Sequence, residues 1–110
     1  MRDGCFAYDG LERALHEKAR LGIMTALVTR QGGWTFVELK RLCSLTDGNL
    51  ARHLEVLIQA GLVDSLKGSS DGRPRTLLRV TAEGRRQFVT YLKHLDRVVR
   101  VALPRAKKTA

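Results

Sequence analysis

Two cysteines in 110 residues, Cys5 and Cys43, are too few for a disulfide framework, and they lack CxxC spacing. A reducing compartment is the default for such a chain. No apolar run approaches the roughly 18 residues a membrane span needs. Asp and Gly residues interrupt MRDGCFAYDG, so no signal-peptide core is expected there, and the expected location is cytoplasmic. Aromatic residues are 5% of the chain, too sparse for single-strand recognition by base stacking. There is no phosphate-binding glycine loop, no nucleophile elbow and no HExxH. His16, His53 and His94 are scattered, with no acid or cysteine at ligand spacing, so neither a metal site nor a cofactor is expected. Carboxylate pairs occur only as helix caps and surface charges, and the expectation is that the protein is not an enzyme.

Acidic residues are scarce relative to basic ones. Twenty Lys and Arg against eleven Asp and Glu give a net charge of +9. The isoelectric point near 10.4 favours a polyanionic partner. The apolar share of 44% is ordinary for a globular protein, and the length suits one domain.

Asp9 and Glu12 have capping-box spacing, and Leu11, Ala14, Leu15, Ile23, Ala26 and Leu27 mark one stripe of a helix reaching about Arg30. QGG at 31–33 stops it. Trp34 and Thr35 leave room for a very short strand, with Trp34 as a core anchor. Thr35 and Glu38 form a second capping box, opening a helix to about Cys43 with Phe36, Leu39 and either Leu42 or Cys43 inward. A further helix runs from TDGN to Ala60 and stops at Gly61. Residues 62–67 and 75–80 read as strands, and GSSDGRP between them as a flexible turn that continues neither. Thr81 caps a last helix, with Glu83 in its first turn, that ends before Pro104. The expected class is mainly α with a small β-hairpin, in the order α-β-α-α-β-β-α. Residues 1–8 are expected to be a flexible N-terminus, 9–103 the domain and 104–110 a frayed basic tail.

Two short helices joined by a tight turn and followed at once by a hairpin make a winged helix-turn-helix. FVELKRLCSLTDGNLARHLEVLIQAGLV, followed by DGRPRTLLRVTAEGR, resembles winged-helix transcriptional regulators of the MarR/ArsR type. It is most similar to small single-domain members with an LTDGNLxRHL recognition helix. The resemblance covers roughly residues 11–99 and implies a DNA-binding regulator. ArsR-type metal sensors carry a cysteine pair where Thr35 and Val37 stand here, so the resemblance brings no thiolate site with it.

Placed at 100° per residue, Leu50, Leu54, Leu57, Ile58 and Gly61 share one side of the recognition helix. Gly48, Asn49, Arg52, Glu55, Val56 and Gln59 share the other. Helix-turn-helix proteins insert the N-terminal part of this helix into the major groove. Asp47, Gly48, Asn49 and Arg52, with His53 on the flank, are therefore the candidates for base contact. Arg suits guanine and Asn suits adenine, each through two hydrogen bonds. Thr46 is expected to cap the helix and leave its first amides facing a phosphate. Lys67, Arg73 and Arg75 bracket the hairpin tip; in the resembling family the wing lies along the minor groove or backbone.

The last helix carries Phe88, Leu92, Leu95, Val99 and Ala102 at alternating spacings of four and three, broadened by Tyr91 and Val98. That stripe is wider than a small domain covers. With Leu11 and Leu15 it is the expected homodimer interface, the arrangement the resembling family commonly uses. The expected partners are thus double-stranded DNA and a second copy, with no membrane. The other reading is a winged-helix module that docks on protein or structured RNA, since fold does not fix function.

Overall fold

Ile23, Met24 and Leu27 recur at helical spacing and are fully buried, on a helix α1 (Lys18–Thr29). It is the first element of a computed structural model that describes residues 18–109. The expected cap at Asp9 and Glu12, the stripe residues Leu11, Ala14 and Leu15, and Cys5 and His16 lie outside the described residues. After α1 the chain enters β1 (Trp34–Thr35). Trp34 is fixed from both sides: its Nε1 donates to the Ala26 carbonyl at 2.8 Å, and the Arg30 guanidinium lies 3.5 Å over its ring. Such stacking of a cation on indole is favourable because the ring face is electron-rich.

The second helix, α2 (Phe36–Cys43), opens with the full capping box. Glu38 N donates to Thr35 Oγ1 at 3.2 Å, and Thr35 N donates to Glu38 Oε1 at 2.9 Å. Leu39 is fully buried and Cys43 half-buried, whereas Leu42 is 55% exposed, so Cys43 continues the inner face. Ser44 in a left-handed conformation ends the helix, and two residues later Thr46 caps α3 (Asp47–Gln59). Leu50, Leu54 and Leu57 seat α3 on the core, while Ile58, expected inside, is 40% exposed.

Strands β2 (Val63–Ser70) and β3 (Arg73–Val80) form the hairpin, with β3 in the centre of a three-stranded antiparallel sheet ordered β1-β3-β2. Here the sequence expectation needs correcting. GSSDGRP is not a long flexible turn: both strands run into it, and only Asp71 and Gly72 lie outside them. Their φ angles, 54° and 76°, are both positive, as the tightest hairpin turn requires, and an Asp-Gly pair tolerates that conformation. The register pairs Ser70 with Arg73 and Ser69 with Pro74. In a two-residue hairpin the second pair is the one without mutual hydrogen bonds, so the missing Pro74 N–H leaves no gap in the ladder.

The last helix, α4 (Ala82–Thr109), departs from expectation at its far end. It runs through Pro104 instead of stopping before it. A proline inside a helix deletes one backbone bond and crowds the carbonyl four residues earlier. Beyond it, RAKKT consists mostly of good helix formers, and Lys107 and Lys108 in the last turn suit the negative end of the helix dipole. Residues 104–108 are therefore helical and exposed, not a frayed tail. At the start of α4, Thr81 Oγ1 accepts from Gly84 N at 2.8 Å and donates to the Gly61 carbonyl at 2.6 Å. Gly84 is buried against Leu62. A Cβ at position 84 would collide with the Leu62 carbonyl oxygen and lie 2.8 Å from its carbon.

One apolar core joins these elements, drawing on α1, α2, α3, both long strands, and Phe88 and Tyr91 of α4. Among the described residues no buried side-chain polar atom lacks a hydrogen-bond partner.

Candidate nucleic-acid interface

The tip of α3 is built by Thr46. Its hydroxyl accepts from Asn49 N at 3.2 Å, and its carbonyl accepts from Leu50 N at 2.9 Å. The amides of Asp47 and Gly48 therefore point off the end of the helix, where the positive dipole end favours an anion. Asp47, Gly48, Asn49, Arg52, Glu55 and Gln59 are exposed, and Leu50, Leu54 and Leu57 are buried beneath them. Arg52 has no ion-pair partner among the described residues. Gly48 stands in open space: a Cβ built there meets no atom within 4 Å. The fold itself thus makes no use of its bareness.

Two of the expected tip residues behave differently. Asp47 is exposed, but its Oδ1 lies 2.9 Å from Lys40 Nζ, so the acid nearest the tip is neutralised from α2. His53 is only 4% exposed and accepts at Nδ1 from Arg20 Nε at 3.1 Å. It points into the protein and cannot reach a base edge, which removes it from the groove-facing set. The residue lies one helical step of 100° from Arg52, and that step carries it over the edge of the core.

Alternation along the strands divides the wing's basic residues. Arg73 and Arg75 lie two apart on β3 and share one face, with Gly68 opposite Arg75 in the register. Lys67 pairs with Thr76 and belongs to the opposite face, the one that carries the buried Val63 and Leu78 nearer the core. All three are exposed, but they do not act as one patch. Arg75 leans over the start of α2 and, with Thr35, Phe36, Val37 and Arg41, lines an open groove of about 520 Å³. Glu38 shares that groove. Its carboxyl is held below the usual carboxylate range first by the two Thr35 hydrogen bonds of the capping box, then by Arg30 and Arg75. Arg75 is consequently partly balanced by an acid, while Arg73 at the tip has only Asp71 nearby in the chain.

The sequence reading does not single out Lys40 and Arg41. Both sit in the last turn of α2, and only the turn geometry brings Lys40 to Asp47. Cys43 is half-buried and burial pushes its thiol up, which lowers its thiolate fraction. No helix among the described residues is long and apolar enough to cross a membrane.

The expected dimer stripe also separates. Phe88 and Tyr91 are 2% and 6% exposed and stack 6.2 Å apart within the protein's own core, so they have no surface to offer a partner. Their position next to the short domain core draws them inward. Leu92, Val99 and Ala102 are exposed, Leu95 and Val98 half-exposed, and Leu11 and Leu15 lie outside the described residues.

With this geometry in hand, the likeness to known proteins is clear. The family described as "Winged helix DNA-binding domain" matches residues 19–99. A transcriptional regulator homologue from Pyrococcus horikoshii is 36% identical, with a TM-score of 0.72 over 78% of this chain and 84% of that one. MepR of Staphylococcus aureus, solved in complex with DNA, superposes with a TM-score of 0.70 over 90% of this chain and 80% of that one. At 18% identity that second likeness is one of fold alone. An uncharacterised protein of Methanocaldococcus jannaschii is 40% identical over 57 residues, 52% of this chain and 62% of that protein's length.

Proposed function

We propose that this chain, which belongs to the winged helix DNA-binding domain family and is similar to a transcriptional regulator homologue, is a homodimeric repressor reading a pseudo-palindromic duplex site. Asn49 and Arg52 read base edges in the major groove, with Asp47 and Gly48 at the tip. Thr46, Lys67, Arg73 and Arg75 hold the backbone; Lys67 and Arg73 form no ion pair among the described residues. The carrying observation is the row of exposed polar side chains on α3 directly above a fully buried apolar face, ending in a capped tip with open amides. A fold neighbour solved in complex with DNA supports DNA as the partner.

Support for the dimer comes from α4, where residues 99–108 are all exposed and Leu92, Val99 and Leu103 are exposed apolar residues. The proposed interface keeps Leu92, Leu95, Val98, Val99 and Ala102, with Leu11 and Leu15 as candidates on the preceding segment. A twofold pair would set two recognition helices about one DNA turn apart, roughly 34 Å.

The test is to select duplexes from a random library with the native protein and then compare variants. Arg52→Ala should reduce the preference for selected over scrambled duplex by about 1–3 kcal/mol. Arg73→Ala with Arg75→Ala should weaken binding to both and lower the salt slope by about 1–2. Equal binding of all duplexes at several salt concentrations would sink base readout. Stronger binding to double-stranded RNA than to any duplex DNA would favour the module reading instead.

A further inference from the structure

Base readout depends on where a helix is aimed, and one coordinate matters most: the rotation of α3 about its own axis. A turn of about 15° moves a group roughly 6 Å from the axis by roughly 1.5 Å. That is enough to break a paired hydrogen bond, whose donor and acceptor must stay within a few tenths of an ångström of 2.9 Å. Among the described residues, three kinds of side-chain contact on α3 bear on that rotation. Leu50, Leu54 and Leu57 are buried, but apolar burial is not directional and tolerates small rotations. The Lys40–Asp47 pair is exposed on the acid side and weak for that reason. The third is the hydrogen bond from Arg20 Nε on α1 to His53 Nδ1 on α3, 3.1 Å long and spanning 33 residues of sequence.

That bond has unusual features. His53 is the only polar residue in the buried set among the described residues. It is the immediate neighbour of Arg52 and four residues from Asn49. α1 packs chiefly against α2 and the sheet, so the bond is a directional tie between two helices that otherwise touch little. Nδ1 can accept only from the neutral ring carrying its proton on Nε2, and the guanidinium offers a fixed planar fork of donors.

We propose that Arg20 and His53 are positioning residues for base readout: their hydrogen bond sets the rotation of α3 and hence the aim of Asn49 and Arg52. This rests on the reading that those two side chains contact bases. The residues touch no DNA themselves; they act through the helix.

The experiment measures the ratio of affinities for selected and scrambled duplexes, well below the melting temperature, with thermal unfolding recorded for every variant. Arg20→Met keeps the stem and removes the donor; His53→Leu fills the site and removes the acceptor. Each should lower the ratio by about threefold to tenfold, the net worth of one hydrogen bond. Affinity for scrambled duplex and the salt slope should stay as in the native protein. The double variant should lose no more than the worse single one, because both break the same tie. Arg20→Lys and His53→Asn, which retain a donor and an acceptor in these places, should recover part of the ratio. An Arg20→Met protein that keeps the native ratio, or loses affinity equally on both duplexes, overturns the positioning role whatever its melting temperature. A native ratio of one fails earlier and differently, since base readout itself would then be wrong.

Discussion

α3 and α4 begin in almost the same way. Each has a threonine cap accepting from the amide three residues on, Asn49 N at 3.2 Å and Gly84 N at 2.8 Å. Each has one acid in its first turn, Asp47 paired with Lys40 and Glu83 paired with Arg86. Each has a glycine in that turn. The two glycines have opposite surroundings. Gly84 is pressed against the Leu62 carbonyl, whereas Gly48 faces open space. One helix start is closed onto its own chain, and the other is left open to something outside it. The local code sets the cap; the packing around it decides whether the end is a joint or a tip.

The strongest way to break this contrast is Gly84→Ala. Forcing a Cβ into backbone that cannot yield should destabilise the fold by about 3 kcal/mol. Urea unfolding would register it as a lower midpoint with an unchanged slope. A loss below about 0.5 kcal/mol would mean that α4 can back away, and the joint would not be one.

Next come the caps. Thr81→Ala should cost about 2 kcal/mol and Thr46→Ala about 1 kcal/mol, because Thr81 also donates to the Gly61 carbonyl at 2.6 Å. Equal losses would remove the distinction between joint and tip at the level of the cap.

α2 supplies a third threonine cap for comparison, the capping box with Glu38. Its carboxyl is depressed, so its contribution is present above the ordinary carboxylate pKa and is lost as pH falls through the folded one. The Glu38 side chain is 43% exposed, so solvent screening keeps the effect of Glu38→Gln near 0.5 kcal/mol at neutral pH. The difference between native and variant stability should shrink on acidification below about pH 4. A difference that grows instead would contradict the assigned hydrogen bonds.

Gly48→Ala should have the smallest effect on the fold and the sharpest meaning. With space for the Cβ, stability should rise by about 0.3 kcal/mol, less than mid-helix because the site is near an end. DNA affinity should fall if the bare backbone is what lets the tip approach. Unchanged affinity would leave Gly48 without a binding role.

These elements also show what a sequence can tell in advance. All three threonine caps, the element order and the burial of Leu50, Leu54 and Leu57 follow from spacing, because periodicity and capping are local. Ile58, by contrast, is exposed, and Val56, expected outside, packs on the core. GSSDGRP is rich in turn formers, so its composition alone points to a longer turn than the hairpin has. Only the register shows that two of its residues suffice. The helix runs through Pro104 because the helix formers beyond it outweigh one unfavourable residue, a balance that no single position shows. The site residues divide along the same line. The exposure of Asn49 and Arg52 is a matter of helical phase. The partner that satisfies the buried His53 is Arg20, 33 residues away, and withdrawal of Phe88 and Tyr91 depends on how much core lies beneath them. No local pattern carries either.

The length of α4 has a mechanical consequence. Its 28 residues make a rod of about 42 Å, gripped at one end where Gly84 meets Leu62 and Phe88 and Tyr91 are buried. Residues 99–108 extend past the core. A tilt of about 5° at the gripped end sweeps the far end through roughly 4 Å. Run in reverse, a load near Ala102 reaches Leu62 with less travel and more force, as on the short arm of a lever. The fulcrum lies three residues beyond Gln59, the end of α3. A displacement at the far end of α4 is therefore felt, scaled down, at the short stretch of chain that joins α3 to the hairpin.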